Sequence, residues 1–338
     1  MRIIVIILLS VVIQNESQAQ NKRPEDFYET AYHELCRMLE GSDSLSIKKA
    51  VYISEWAYYE GGLDYHKDFC DEINRIVGFV NLFYKVNKLE KYKTGKQMAL
   101  NEYFFRPYSG NNYKPYEYDF ENFSIQDENW ETQFVSKVLK SHKGQCRSLP
   151  WMYKILSQEI GADVYLAHAP RHCYIMYKDL DNLTPEPWIN LEVTNHNMVP
   201  SFWIQQDFEI SDSAIKAGTY MTPITDKQTV ASQLAELAFG YYKKFRRYDA
   251  FTLKCVNTSL VYYPMNPNAI IIRGKSLDKM LMEYLSNNNM IMNDYTRYLM
   301  RLIHETNQML NKTFMTVETD EMRNRRQHEI NELIKKKN

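Results

Sequence analysis

The chain of 338 residues has little glycine and little proline, 11 of each, which excludes collagen-like and low-complexity architectures. It has no excess of either charge. Its 41 Lys and Arg stand against 42 Asp and Glu, so it lacks the basic surplus with which nucleic-acid binders neutralise phosphates, and no nucleic-acid partner is expected. Long apolar runs are missing too: the run from Ile3 to Ile13 falls well short of the roughly 20 residues that span a bilayer. Cysteine is scarce and odd in number, comprising Cys36, Cys70, Cys146, Cys173 and Cys255.

What is present is apolar material, 44% of the residues, enough for a packed core. The length suggests about two domains. The first residues combine Arg2, the short apolar run, and small Ser17 and Ala19 ahead of Gln20, which is the pattern of a cleavable secretory signal over residues 1–19. The expected destination is secreted or periplasmic, with cleavage after Ala19 and no membrane span thereafter. Five cysteines cannot all pair within one monomer in an oxidising compartment, so at least one is free or intermolecular. Cys36 and Cys70 lie in neighbouring helical segments and are a candidate disulfide, whereas Cys255 reads as a small buried core thiol.

Apolar spacing at i, i+3, i+4 predicts a helical N-terminal domain over 24–100, punctuated at Gly41 and Gly61-Gly62, with Asp64 as an N-cap. Ten aromatic residues follow between Tyr103 and Trp130. They read either as a groove wall for stacking or as rings that cover the core of the next domain. Over 101–210 helical periodicity gives way to short β-rich runs, which predicts an α+β unit with a helix packed on a small antiparallel sheet. Residues 211–228 read as a linker. Residues 229–314 are helical and resemble a degenerate tetratricopeptide repeat, with Leu237, Ala238, Gly240, Tyr241 and Ala250 at packing positions and Pro264 closing the second helix; a protein partner for these repeats is an open option. Residues 315–338 form a charged amphipathic tail, read as a solvated helix.

Gly144-Gln145-Cys146 leads directly into a predicted helix, whose unsatisfied N–H groups and positive dipole end favour thiolate over thiol. Pro150 fits the first turn of that helix. His172 follows 26 residues after Cys146 at the start of a predicted strand, and Glu192 follows 20 residues later on another. If those strands are adjacent and antiparallel, imidazole and carboxylate share one face, with the cysteine helix packed across them. That gives a nucleophile, a base and an orienting acid in chain order: Cys146, His172 and Glu192. The bland alternative is a core thiol and a buried histidine. A metal on His168, His172 and Cys173 is disfavoured, because Pro170 breaks their regularity; no metal and no cofactor are expected.

The stretch from about Trp130 to Trp203 resembles the core of the transglutaminase-like superfamily. Gly144-Gln145-Cys146 is similar to the nucleophile motif, Glu159-Ile160-Gly161-Ala162 to the helix-to-strand step, and Trp188-x-x-x-Glu192-x-Thr194 to the Trp-x-x-x-Asp-x-Thr signature. The resemblance implies a papain-like cysteine fold and acyl chemistry at Cys146, with His172 as base. It extends to secreted bacterial proteins that carry this core beside helical repeats. Two departures stand out: Glu replaces Asp at position 192, and the short Cys146-to-His172 interval leaves out the substrate-binding insertions of larger members. The expected function is a secreted cysteine acyl-transfer enzyme on peptide or isopeptide amides, with hydrolysis favoured over transamidation. The alternative is a non-catalytic periplasmic binding or scaffold protein retaining the fold. Trp130 is weighed as an oxyanion donor against a core role.

Overall fold

Caps in the sequence set the helix limits. The structure, a computed structural model, describes residues 22–122 and 129–315, with 321, 324, 325, 327, 328, 331, 332 and 335 from the C-terminal stretch. The expected signal segment and most of the tail lie outside the described residues. Helix α1 (Pro24–Glu40) stops where Gly41 turns left-handed at φ 84°, a conformation that costs glycine nothing. The Ser46 hydroxyl caps α2 (Ile47–Tyr58), and Asp64 accepts from the Lys67 N–H ahead of a π-helical turn that runs into α3 (Asp71–Val86). Helix α4 (Gly95–Phe105) carries the first aromatics of the ring-rich stretch into the core. Tyr103, Phe104 and Tyr116 are fully buried, and Tyr116 stacks on Phe104 at 4.3 Å, so these rings cover the core and do not form an open wall.

The α+β class expected from the sequence is what the chain adopts, with helices predominating. Strand β1 (Glu117–Tyr118) pairs in parallel with β2 (Lys143–Gly144), which follows α5 (Val135–Ser141). Helix α6 (Ser148–Glu159) comes next, ended near Gly161 at φ 68°. A four-stranded antiparallel sheet is then laid down in sequence order: β3 (Tyr165–Ala169), β4 (His172–Lys178), β5 (Trp188–Glu192) and β6 (Asn197–Val199). The sequence pattern did not anticipate β1, β2 or β6, which are too short to show alternation.

Two apolar clusters sandwich the sheet. Cys173, Ile175, Tyr177, Ile189 and Leu191 face α6 and the main core. Alternate residues Tyr174 and Met176 face a smaller cluster with Ile204 of α7 (Ser201–Asp207), Ile210, Ala214 of α8 (Asp212–Lys216) and Tyr220.

Residues 211–228 are no free linker. Helix α8 forms within them, the Met221 N–H donates to the His168 carbonyl, and the Ile224 N–H donates to the Leu166 carbonyl, each at 2.9 Å. These bonds cover the outer edge of β3, whose unpaired backbone groups would otherwise be left exposed.

Four further helices follow: α9 (Asp226–Phe245), α10 (Ala250–Tyr262), α11 (Pro267–Asn287) and α12 (Asp294–Thr313). Each packs on the next. Helix α9 also packs on α1 and α2, where Tyr28 meets Tyr241, Phe245 and Phe251 edge-on at 5.3–6.1 Å. One apolar core therefore contains Leu35, Leu100, Leu156, Leu191 and Leu234, joining residues of the segments 24–100, 101–210 and 229–314. Full burial stabilises each such side chain by about 1.5–3 kcal/mol relative to exposure.

The candidate disulfide between Cys36 and Cys70 is not formed; all five cysteines are free. Cys36 sits beside Tyr32 on the side of α1 that meets α10, while Cys70 sits beside Tyr65. Cys255 is fully buried, and burial pushes its thiol well up, as a core thiol requires. Among the described residues, no helix is long and apolar enough to cross a membrane.

On α9, Gln233 is fully buried, and neither of its amide atoms has a protein partner among the described residues. Leucine of similar size removes that desolvation cost. Gln233→Leu is expected to leave unfolding stability unchanged or raise it by about 1–2 kcal/mol in a urea titration. A loss of that size would show that the amide holds a bond the fold needs.

Candidate active site

The approach to Cys146 is fixed on both sides. Gly144 pairs with Tyr118, and a Cβ there would stand 2.7 Å from Val138 Cγ2 and 2.9 Å from Leu149 Cγ, so only glycine lets the strand pass this closely under α6. The Gln145 amide Nε2 donates to the Asp119 carbonyl at 2.7 Å, and its backbone N–H donates to Ser148 Oγ at 2.9 Å. Cys146 is thereby left at the turn before α6, partly exposed, with the helix N-terminus beside it. Its Sγ lies 4.0 Å from the carbonyl oxygen of Arg171.

That carbonyl belongs to the two-residue turn between β3 and β4. Pro170 and Arg171 make the turn, with Arg171 held at φ 54°, and Ala169 pairs with His172 across it. Strand alternation then separates His172 from Cys173. Cys173 pairs with His168 on the α6 side, fully embedded, and burial raises its thiol far above the ordinary range. His168 stacks on Tyr263, and burial lowers its pKa to about 4, so it is neutral near pH 7. His168 and His172 thus point to opposite faces and cannot converge on one ion. Among the described residues no cluster of three or more His, Cys, Asp and Glu is placed to hold a metal.

His172 and Glu192 do come together. The β4–β5 register pairs Ile175 with Leu191, so its continuation sets Tyr174 opposite Glu192 and makes His172 and Glu192 diagonal neighbours on one face. His172 Nε2 is 2.5 Å from Glu192 Oε2. The other carboxylate oxygen, Oε1, accepts from the Thr194 hydroxyl at 2.6 Å and the Thr194 N–H at 3.1 Å. Phe208 stacks on the imidazole at 4.9 Å between centroids, almost parallel. With Nε2 committed to Glu192, the nitrogen left for the neighbouring Cys146 thiol is Nδ1.

The structure brings Cys146, His172 and Glu192 together, in an arrangement that differs from the expected one in one respect. Helix α6 packs across the opposite face of the sheet from His172 and Glu192, and Cys146 meets the histidine at the end of the strand, by the hairpin turn. Thr194 was visible in the sequence only as a signature residue, and its role, fixing the carboxylate, needs the two bonds above. Phe208 carried no sequence signal. Trp130 takes the core role: it is 6% exposed, with its indole nitrogen 3.5 Å from where a Cβ on Gly240 of α9 would stand. A cleft of about 380 Å³ lined by Lys154, Asp163, Tyr165 and Asp226 lies away from Cys146, His172 and Glu192, and in it Lys154 is paired with Asp226 at 2.8 Å.

Burial disfavours the imidazolium, but the Glu192 carboxylate and the Cys146 thiol outweigh it, and the His172 pKa is raised to about 10. Burial also disfavours the Glu192 carboxylate. The His172 charge and the His172 and Thr194 hydrogen bonds outweigh that cost, holding its pKa below the ordinary 4.5.

The pair's effect on stability follows from these directions. A raised histidine stabilises the fold fully below its unfolded value, near 6.5, and that contribution is lost as pH rises through about 10. A lowered carboxylate contributes above 4.5 and loses its contribution as pH falls through the depressed value. Glu192→Gln is therefore expected to cost about 2 kcal/mol near pH 6, with the gap to wild type closing above pH 10. Urea unfolding between pH 4 and 10.5 measures it, and a gap that stays constant as pH rises would refute the pairing. Comparison with protein-family models, with curated proteins and with solved structures found no match to this chain.

Proposed function

We propose that this chain is a cysteine-dependent acyl-transfer enzyme acting on peptide or isopeptide amides, built on the papain-like plan implied by its resemblance to the transglutaminase-like superfamily. The observation that carries the reading is the buried His172–Glu192 pair, braced by Thr194 and set beside a partly exposed cysteine at the start of a helix. A raised histidine next to a thiol favours the imidazolium–thiolate pair, and the thiolate is the reactive form.

In this mechanism Cys146 Sγ attacks the amide carbonyl carbon, forming a C–S bond while the carbonyl oxygen takes up negative charge. The Cys146 backbone N–H is one donor to that oxygen. His172 Nδ1 gives its proton to the departing amine as the C–N bond breaks, leaving a thioester. Water then attacks the thioester, passing a proton to His172, and the carboxylic acid leaves as the thiolate is restored. An amine in place of water gives transamidation. Hydrolysis is favoured because the short interval from Cys146 to His172 leaves no insertion to exclude water. An exported location, expected from residues 1–19, belongs to the same proposal.

A scaffold role is the second reading, and the last helical hairpin favours it. Met282, Met290, Ile291, Met292, Tyr298 and Met300 are each 46% exposed or more along α11, α12 and the loop between them.

A peptide vinyl sulfone, which traps reactive thiolates, separates the two. Cys146 is expected to be modified at pH 7 at least tenfold faster than a free cysteine peptide, with the rate falling about a hundredfold in His172→Ala. Mass spectrometry of tryptic peptides locates the label. Modification no faster than the free thiol would sink the enzymatic reading.

A further inference from the structure

We infer that Arg147 and Glu236 form a clamp through which the C-terminal helical bundle positions the nucleophile, making Arg147 a positioning residue for Cys146. This rests on the reading of Cys146 as the nucleophile. Arg147 directly follows Cys146 and is the residue from which α6 starts. Its guanidinium is held from three directions. Nη1 donates to the Gln133 carbonyl at 2.6 Å, in the turn that carries Trp130. Nε lies 2.9 Å from Glu236 Oε2 of α9, an ionic contact whose angle is not that of a hydrogen bond. The charge also lies over the rings of Trp130 and Trp151, 5.2 and 5.9 Å from their centroids.

The pair is well shielded, with side chains 17% and 11% exposed, so water and salt screen it little. A shielded charge that loses its partner must move toward solvent or bear an uncompensated desolvation cost. Arg147 is one peptide bond from Cys146, so any such movement displaces the thiol relative to His172. The histidine stays fixed by Glu192, Thr194 and Phe208. The geometry therefore sets the Cys146-to-His172 alignment from α9, a helix outside the sheet unit, and a misplacement near 1 Å is enough to slow a reaction about a hundredfold.

Iodoacetamide labelling of the full chain from pH 5 to 10, read at Cys146 by peptide mass spectrometry, tests this. Glu236→Gln is expected to slow labelling at pH 7 about tenfold and to move the pH midpoint upward. Arg147→Lys keeps the charge but loses the planar fork that spans Gln133, Glu236 and the tryptophan rings, so it is expected to slow labelling by about threefold to tenfold. The neutral double variant Arg147→Met with Glu236→Leu keeps the volume packed and removes both charges. It is expected to unfold cooperatively like wild type yet label as slowly as Glu236→Gln, which separates loss of positioning from loss of fold. Wild-type rates and an unchanged midpoint in Glu236→Gln and the double variant would overturn the clamp. His172→Ala reports on the triad alone: wild-type labelling in that variant sinks the nucleophile reading, and the clamp variants are still read by their own midpoint.

Discussion

The buried pair of His172 and Glu192 is the constraint on which the sheet side of this molecule depends. Two charges drawn out of water carry a desolvation cost of several kcal/mol each, and their attraction offsets it only in close contact with the remaining polar atoms satisfied. Both conditions are met here. The ring nitrogen and carboxylate oxygen are 2.5 Å apart, and the second oxygen takes two bonds from Thr194. Neither condition survives a slip of register, because moving β5 by one residue would turn Glu192 into the α6 face. The apolar residues that pin the register, Ile175 and Leu191 on one side and Tyr174 and Met176 on the other, are therefore also the residues that align Glu192 with His172.

The cysteine enters from elsewhere. It is carried on a helix that belongs to the main core, and its turn is tied to Asp119, just past β1, by Gln145, to the Trp130 turn by Arg147, and to α9 by Glu236. The site sits where two bodies of packing meet at the end of a hairpin. The N-terminal and C-terminal helices close around each other through Tyr28, Tyr241 and Phe251, so the helices flanking the sheet unit hold each other in place.

Much of this was legible from local pattern. Apolar spacing indicated helices over 24–100, after Cys146 and beyond 229, and the position of Cys146 before a helix and of His172 at the head of a strand could be read directly. Legibility failed where structure is short or non-local. Strands β1, β2 and β6 are two or three residues long, below any period. The stretch 211–228 looks like a connector because its composition is polar, yet its backbone is required by the edge of β3. The Cys36–Cys70 disulfide failed because helical spacing says which residues share a face of one helix and nothing about which faces of two helices meet.

The sequence by itself determined the α+β class, the helices, and the order of cysteine, histidine and acid along the chain, because those rest on periodicity and on the local chemistry of caps and turns. Only the tertiary structure decided that Glu192 faces His172 and not Cys173, that Thr194 and Phe208 brace the pair, and that Arg147 reaches Glu236 across to α9. Thr194 is only two residues from the carboxylate it bonds, but the other contacts join residues 20 to 89 positions apart, brought together by register and core packing. No window of sequence contains them, since each is set by the sum of apolar burial over the whole chain.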